Sequence, residues 1–218
     1  MFIYFYYCFH LMKILVVAAM QSELKAIKEW IKLANLKENL NIDYLCCWIW
    51  NYETIFSLEN YFSKFVENTF VLNIWICWYW NNNGLIKNEP IQVWNIINLH
   101  TEKEYIIPPF LQIAPMKTVF SSETVIGSKP LFKKNSLNWL HERFCDMESR
   151  WIEFVSSKLR YPRLFLKVPF DFIGENSNLL VKSPETIDKI YSSLKNLNYN
   201  DYLKKILEWI KQQEKAEN

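Results

Sequence analysis

Glycine is nearly missing from this sequence. Three residues of 218 are glycine, where average usage of about 7% would give about 15. As written, the chain carries no P-loop and no full dinucleotide fingerprint, both of which need backbone without a Cβ. Cysteine is sparse and poorly spaced. Cys8, Cys46, Cys47, Cys77 and Cys145 are odd in number and contain no CxxC pair, which excludes a disulfide framework and suits reduced thiols in a cytoplasmic protein. His10, His100 and His141 are too scattered for a metal centre. The net charge is +2 with no basic block, so nucleic acid is not the expected partner. Repeats, low-complexity stretches and linkers are also missing, and residues 12–218 read as one domain.

Tryptophan is present in excess, with 10 residues. Its placement matters more than its number. VLNIWICWYWNNNG sets Trp75, Trp78 and Trp80 at the end of an apolar run, and LCCWIWN and IQVWNIIN repeat the pattern at Trp48, Trp50 and Trp94. Loops that follow buried strands favour glycine, because the backbone turns sharply there or approaches a ligand. The opposed counts lead to an expectation that several of these tryptophans are UGA codons which the source organism reads as glycine. Trp30, Trp139 and Trp209 sit in helix-like patterns and suit genuine indoles.

Residues 1–11, MFIYFYYCFHL, are aromatic and apolar. Lys13 interrupts the run and no basic region precedes it, unlike a signal peptide. MKILVVAAM, from Met12, reads as a natural start followed at once by a buried strand, so residues 1–11 are expected to be an over-extended start. A membrane anchor is the other reading.

Apolar runs predict strands at 14–18, 43–49, 70–76, 91–99, 118–120 and 163–168. Helical spacing marks 23–33, 53–65, 148–159 and 202–210, and Ser183-Pro184-Glu185 carries the signs of a further helix start. Residues 137–145 are ambiguous, and 106–110 read as a surface crossing. Strands alternating with helices argue for an α/β sheet with helices on both faces.

Three acids stand where strands meet loops or helices: Glu23 in AAMQSE, Glu148 in DMES and Asp171 in KVPFD. In open α/β sheets the ligand crevice lies beyond the carboxyl ends of the strands. Carboxylates gathered there suit cleavage of a glycosidic bond. One acid protonates the leaving group, one base activates water, and nearby carboxylates stabilise a cation-like sugar. Each acid alone has an ordinary explanation too, since helix starts favour Asp and Glu.

Three segments, in order, resemble the nucleoside phosphorylase superfamily. They are MKILVVAAMQSE (12–23), VLNIWICWYW…IQVWNII (71–97) and DMESRWIEFVSSKLRYPRLFLKVPFD (146–171). They look most like its hydrolytic branch, the 5′-methylthioadenosine/S-adenosylhomocysteine nucleosidases, with Trp75, Trp78 and Trp94 standing for glycines. The resemblance implies a three-layer αβα fold around a central mixed twisted sheet, a purine nucleoside as ligand, no cofactor and a homodimer. It also implies roles. Glu23 would take a proton from water, Met147 would pack on the ribose, and Glu148 would accept from its hydroxyls. Asp171 would protonate the purine at N7. Asp146, Trp75, Trp78, Val125, Ile126, Lys167 and Phe170 would complete the binding site. For Asp171 to act as an acid near neutral pH, burial and neighbouring carboxylates must raise its pKa.

Departures narrow the resemblance. The family usually has arginine where Lys167 stands, serine where Phe170 stands, and an acid where Asn95 stands. Lys167 keeps the charge without the planar fork. The arginines Arg143, Arg150, Arg160 and Arg163 all come late, whereas the superfamily's phosphorylases hold phosphate with early ones, so hydrolysis is favoured over phosphorolysis. A non-catalytic nucleotide-binding module and an inactive homologue remain the competing readings. If the tryptophans are real, indoles should crowd the purine site, or the loops should be displaced.

Overall fold

The computed structural model describes residues 12–33, 41–47, 51–64, 68–80, 89–108, 110–122, 143–172, 188, 192 and 199–216. The side chains of Trp30, Asn51, Trp80, Arg143, Asp171, Phe172, Tyr199, Asn200 and residues 213–216 lie outside that description.

The run KILVVA forms strand β1 (Lys13–Ala18), buried along its whole length. A strand covered on both faces reads as a continuous apolar run, and parallel neighbours are its usual partners. β1 lies parallel to β2 (Ile42–Cys46) and to β3 (Thr69–Trp80). Helix α1 (Gln21–Leu33) connects β1 to β2, burying Leu24, Ile27 and Ile31 at the spacing of one helical face. Helix α2 (Asn51–Lys64) connects β2 to β3 and buries Leu58 and Phe62.

The remaining strands are β4 (Ile91–Asn98), β5 (Glu104–Ile106), β6 (Met116–Ser121), β7 (Arg143–Asp146) and β8 (Arg163–Phe172). Helix α3 (Ser149–Lys158) joins β7 to β8. The last helix, α4 (Tyr199–Ala216), buries Leu203, Ile206, Leu207 and Ile210, and its Trp209 meets Phe110 at 4.7 Å between ring centres.

The mixed sheet is not an open middle layer. β8 runs parallel to β3 from Val71↔Arg163 to Tyr79↔Phe172, with a register shift between Cys77 and Trp78. On the opposite edge of β3, β1 pairs with the first half and β7 takes the last three residues in antiparallel fashion. β7 pairs with β6, β6 with β4, and β4 turns back onto β8 at Ile91↔Lys167 and Gln92↔Leu166. Strands β3, β8, β4, β6 and β7 thus close a ring. This corrects the expected three-layer αβα arrangement. The cause is the length of β3: it outruns β1, and the edge it would leave unpaired is taken by β7.

That length also corrects the expected turn. Trp75, Trp78 and Trp80 lie within β3, not in a loop after it. Aromatic side chains favour strand, so the sequence as written continues the strand where glycines would break it. β2 stops at Cys46, before Trp48. β5, not expected from the sequence, ends at Ile106, where the expected surface crossing begins, and β7 falls at the end of the ambiguous stretch 137–145. The helix expected from Ser183 falls largely outside the described residues.

Candidate active site

Glu23 is the third residue of α1. Its Oε2 accepts from the backbone N–H of Met20 at 2.9 Å, the reach-back half of a capping box. An exposed capping glutamate would stop there, but this one has no solvent exposure. Its other oxygen lies 3.5 Å from the N–H of Ile76 on β3. Burial pushes its carboxyl up to about 7, against the lowering effect of those N–H groups and of the Lys167 charge.

The second part of the cluster comes from the junction of β7 and α3. Asp146 ends β7, and Glu148 is the N-cap of α3. Asp146 Oδ2 lies 2.7 Å from Lys167 Nζ, with both side chains sealed from solvent. Ser149 donates its hydroxyl to Asp146 Oδ2 and its N–H to Oδ1 at 3.3 Å. The N–H of Met147 donates to Glu148 Oε2 at 3.1 Å. Burial, then the Asp146 charge, hold the Glu148 carboxyl well above the usual carboxylate range. Glu23 adds to that rise, while Lys167 opposes it. Glu23, Asp146, Glu148 and Lys167 therefore form one electrostatic cluster.

Strand β3 supplies the roof. Trp75 stands in register with Lys167, whose ammonium lies 5.2 Å from the indole ring centre. An ion pair buried this deeply is costly unless its remaining valences are satisfied, and the indole face supplies part of that through a cation–π contact. The Lys167–Asp146 contact is an ion-pair distance without hydrogen-bond alignment, so the ammonium keeps donors unspent. Trp75 is 4% exposed, Glu148 2% and Asp146 1%, so the cluster is buried in the chain as written. A surface cleft of ≈ 310 Å³ exists elsewhere, beside α4, lined by Pro90, Ile113, Asp201, Tyr202 and Lys205.

Neither a protein-family profile nor any curated protein sequence matches the chain. Solved structures do match it. The native futalosine hydrolase of Helicobacter pylori superposes with a TM-score of 0.68 at 14% identity, covering 91% of this chain and 98% of that one. A 5′-methylthioadenosine/S-adenosylhomocysteine nucleosidase of Campylobacter jejuni gives 0.65 at 14% identity, covering 90% and 99%. The Chlamydia trachomatis nucleosidase bound to adenine gives 0.60 at 15% identity, covering 90% and 98%.

The chain has the fold of these nucleosidases.

Within that nucleosidase-like fold, the residues singled out from sequence fall into three groups. Glu23, Asp146, Met147, Glu148, Trp75 and Lys167 are buried, and the four charged ones act on one another. Trp78 and Phe170 are half-buried; Trp78 packs on Phe120 and Cys145, and Phe170 against the main core. The backbone of Asp171 stands opposite Trp78 in β8, past the register shift; its side chain, and Val125 and Ile126 entirely, lie outside the described residues. The hydroxyl of Ser149 was not among the expected contributors. Its only sequence signal is an Asp three residues before a Ser at a helix start, a spacing shared with many ordinary helix caps. Among the described residues no group of three or more His, Cys, Asp and Glu could hold a metal ion, and no helix is long and apolar enough to cross a membrane.

Proposed function

We propose that the protein hydrolyses the N-glycosidic bond of a purine nucleoside or thionucleoside, releasing the free base. The observation that carries this reading is the convergence of Glu23 and Glu148, from strand ends far apart in sequence, on the buried Asp146–Lys167 pair. Cleavage through a cation-like sugar needs a base for water, carboxylate density at the ribose and an acid for the leaving purine. Glu23, with its carboxyl at about 7, is poised to accept a proton from water at neutral pH. Glu148 is the acceptor for ribose hydroxyls, and Met147 packs on the sugar. Asp171 donates to N7 from the end of β8. The similarity to nucleosidases, one of them bound to adenine, supports a purine as leaving group. Hydrolysis rather than phosphorolysis is supported by Arg163, which is paired with Glu153 at the far end of β8, and by Arg150, which lies over the Trp151 ring. A cytoplasmic homodimer completes the proposal.

The sealed cluster favours a second reading for the chain as written, that of an inactive homologue. We reconcile the two by proposing that residues 75 and 78 are glycine in the living protein. Without the indole of Trp75, the space above Lys167 becomes available to a nucleoside. The test is a base-release assay over purine nucleosides, with and without phosphate, on protein carrying Trp75→Gly and Trp78→Gly. Release that needs no phosphate, and is lost in Glu23→Gln and Asp171→Asn, is expected. Release that depends on phosphate would reassign the chain as a phosphorylase. No release from any nucleoside leaves the inactive homologue standing.

A further inference from the structure

Asp146 has two oxygens and three buried donors around it. Lys167 and the hydroxyl of Ser149 share Oδ2, while the N–H of Ser149 takes Oδ1. A carboxylate that met Lys167 alone could rotate about its Cβ–Cγ bond and let the ammonium move. The hydroxyl and amide of one residue, on the first turn of α3, grip both oxygens and fix the carboxylate plane. The side chain of Ser149 is fully buried, so water does not replace it. The distinction matters because lysine is a point charge with no fork of its own to set its direction.

We infer that Ser149 is a positioning residue: its clamp on Asp146 fixes where the Lys167 ammonium sits between Glu23 and Glu148. This rests on the functional reading above only for its catalytic consequence. The groups whose charges act on the pair are Glu23 from α1, Glu148 at the start of α3 and Cys77 from β3, which in turn feels Cys145 from β7. Lys167 draws the carboxyls of Glu23 and Glu148 down, while Asp146 pushes that of Glu148 up. Displacing the ammonium therefore changes both acids at once, without touching either.

The test is proton–nitrogen spectroscopy of the full chain labelled at the lysine side-chain nitrogens. The Lys167 ammonium, assigned by its loss in Lys167→Arg, should show slow proton exchange. In Ser149→Ala that exchange should rise about tenfold, the factor expected for losing a charge-assisted hydrogen bond of about 1.5 kcal/mol. Ser149→Thr, which restores the hydroxyl, should reverse the effect. Ser149→Gly serves as the second hydroxyl-free variant should the alanine variant not fold. An unchanged Lys167 signal in the hydroxyl-free variants overturns the inference, whatever the base-release assay shows. In protein that does release base, Ser149→Ala should lower kcat about tenfold at constant KM and displace the pH profile; a proportional loss of active protein with an unmoved profile would mark a merely structural role. Absence of base release alongside a Ser149-dependent Lys167 signal counts against the functional reading alone.

Discussion

Glu23 shows how one buried acid can reveal itself without substrate. Its carboxyl lies at about 7 in the fold, against 4.5 ordinarily. Between those values the folded protein holds a proton that the unfolded chain has released. Stability must then fall as pH rises from about 4.5 to about 7. Glu148, raised in the same direction, adds to the fall. Glu23→Gln should flatten the dependence and raise stability at pH 8 by about 3 kcal/mol at most, read from denaturant melts across that range, while abolishing base release. A variant whose melt keeps the parental pH slope would remove Glu23 from the cluster. Trp75 can be judged the same way. Truncating a buried tryptophan usually costs about 3–5 kcal/mol. If residue 75 is glycine in the living protein, Trp75→Gly should cost far less and confer nucleoside binding. Mass spectrometry of the native protein gives the direct answer, since indole mass at residues 75 and 78 would sink the recoding proposal.

Individual elements differ in how plainly the sequence announces them. Strand β1 and helix α1 are legible because every residue of KILVVA is apolar or aliphatic-stemmed, and because Leu24, Ile27 and Ile31 keep one period. The late extent of β3 was hidden, because Trp75 and Trp78 stand where a turn was expected and strand propensity carried the chain onward. The ring closure was equally hidden: Ile91↔Lys167 and Trp78↔Cys145 join residues more than 60 positions apart, and no local pattern encodes such pairs. Glu23 and Glu148 could be singled out by position, yet the Asp146–Lys167 pair between them could not, since neither residue signals its partner. The end of α3 offers a test at this scale. Arg160 adopts a left-handed φ of 61, with its N–H on Ser157 and that of Tyr161 on Ser156. These are the bonds of a Schellman cap, whose left-handed position usually holds glycine. Arg160→Gly should therefore raise the melting temperature, by the equivalent of about 1 kcal/mol. A decrease would mean that the arginine side chain contributes more than its backbone costs. Breaking the half-buried Arg163–Glu153 pair nearby, by Arg163→Met, should instead destabilise by about 2 kcal/mol, because Glu153 is left buried without its partner.

At the scale of the molecule, β3 is bonded to β1, β7 and β8, so its amides can open only when most of the sheet does. Hydrogen exchange should place the slowest amides in β3 and β8, at the free energy of global unfolding. β5, paired among the described strands with β4 alone, should exchange through local opening. Equal rates in β3 and β5 would contradict the ring. Closure has another effect. A closed ring offers no border along which another chain could add itself as a strand. Among the described strands, only β2 and β5 end the path of pairing. They are five and three residues long, and they carry Asp43 and Glu104. The sheet thus ends in short, charged margins, which resist strand-by-strand accretion into fibres.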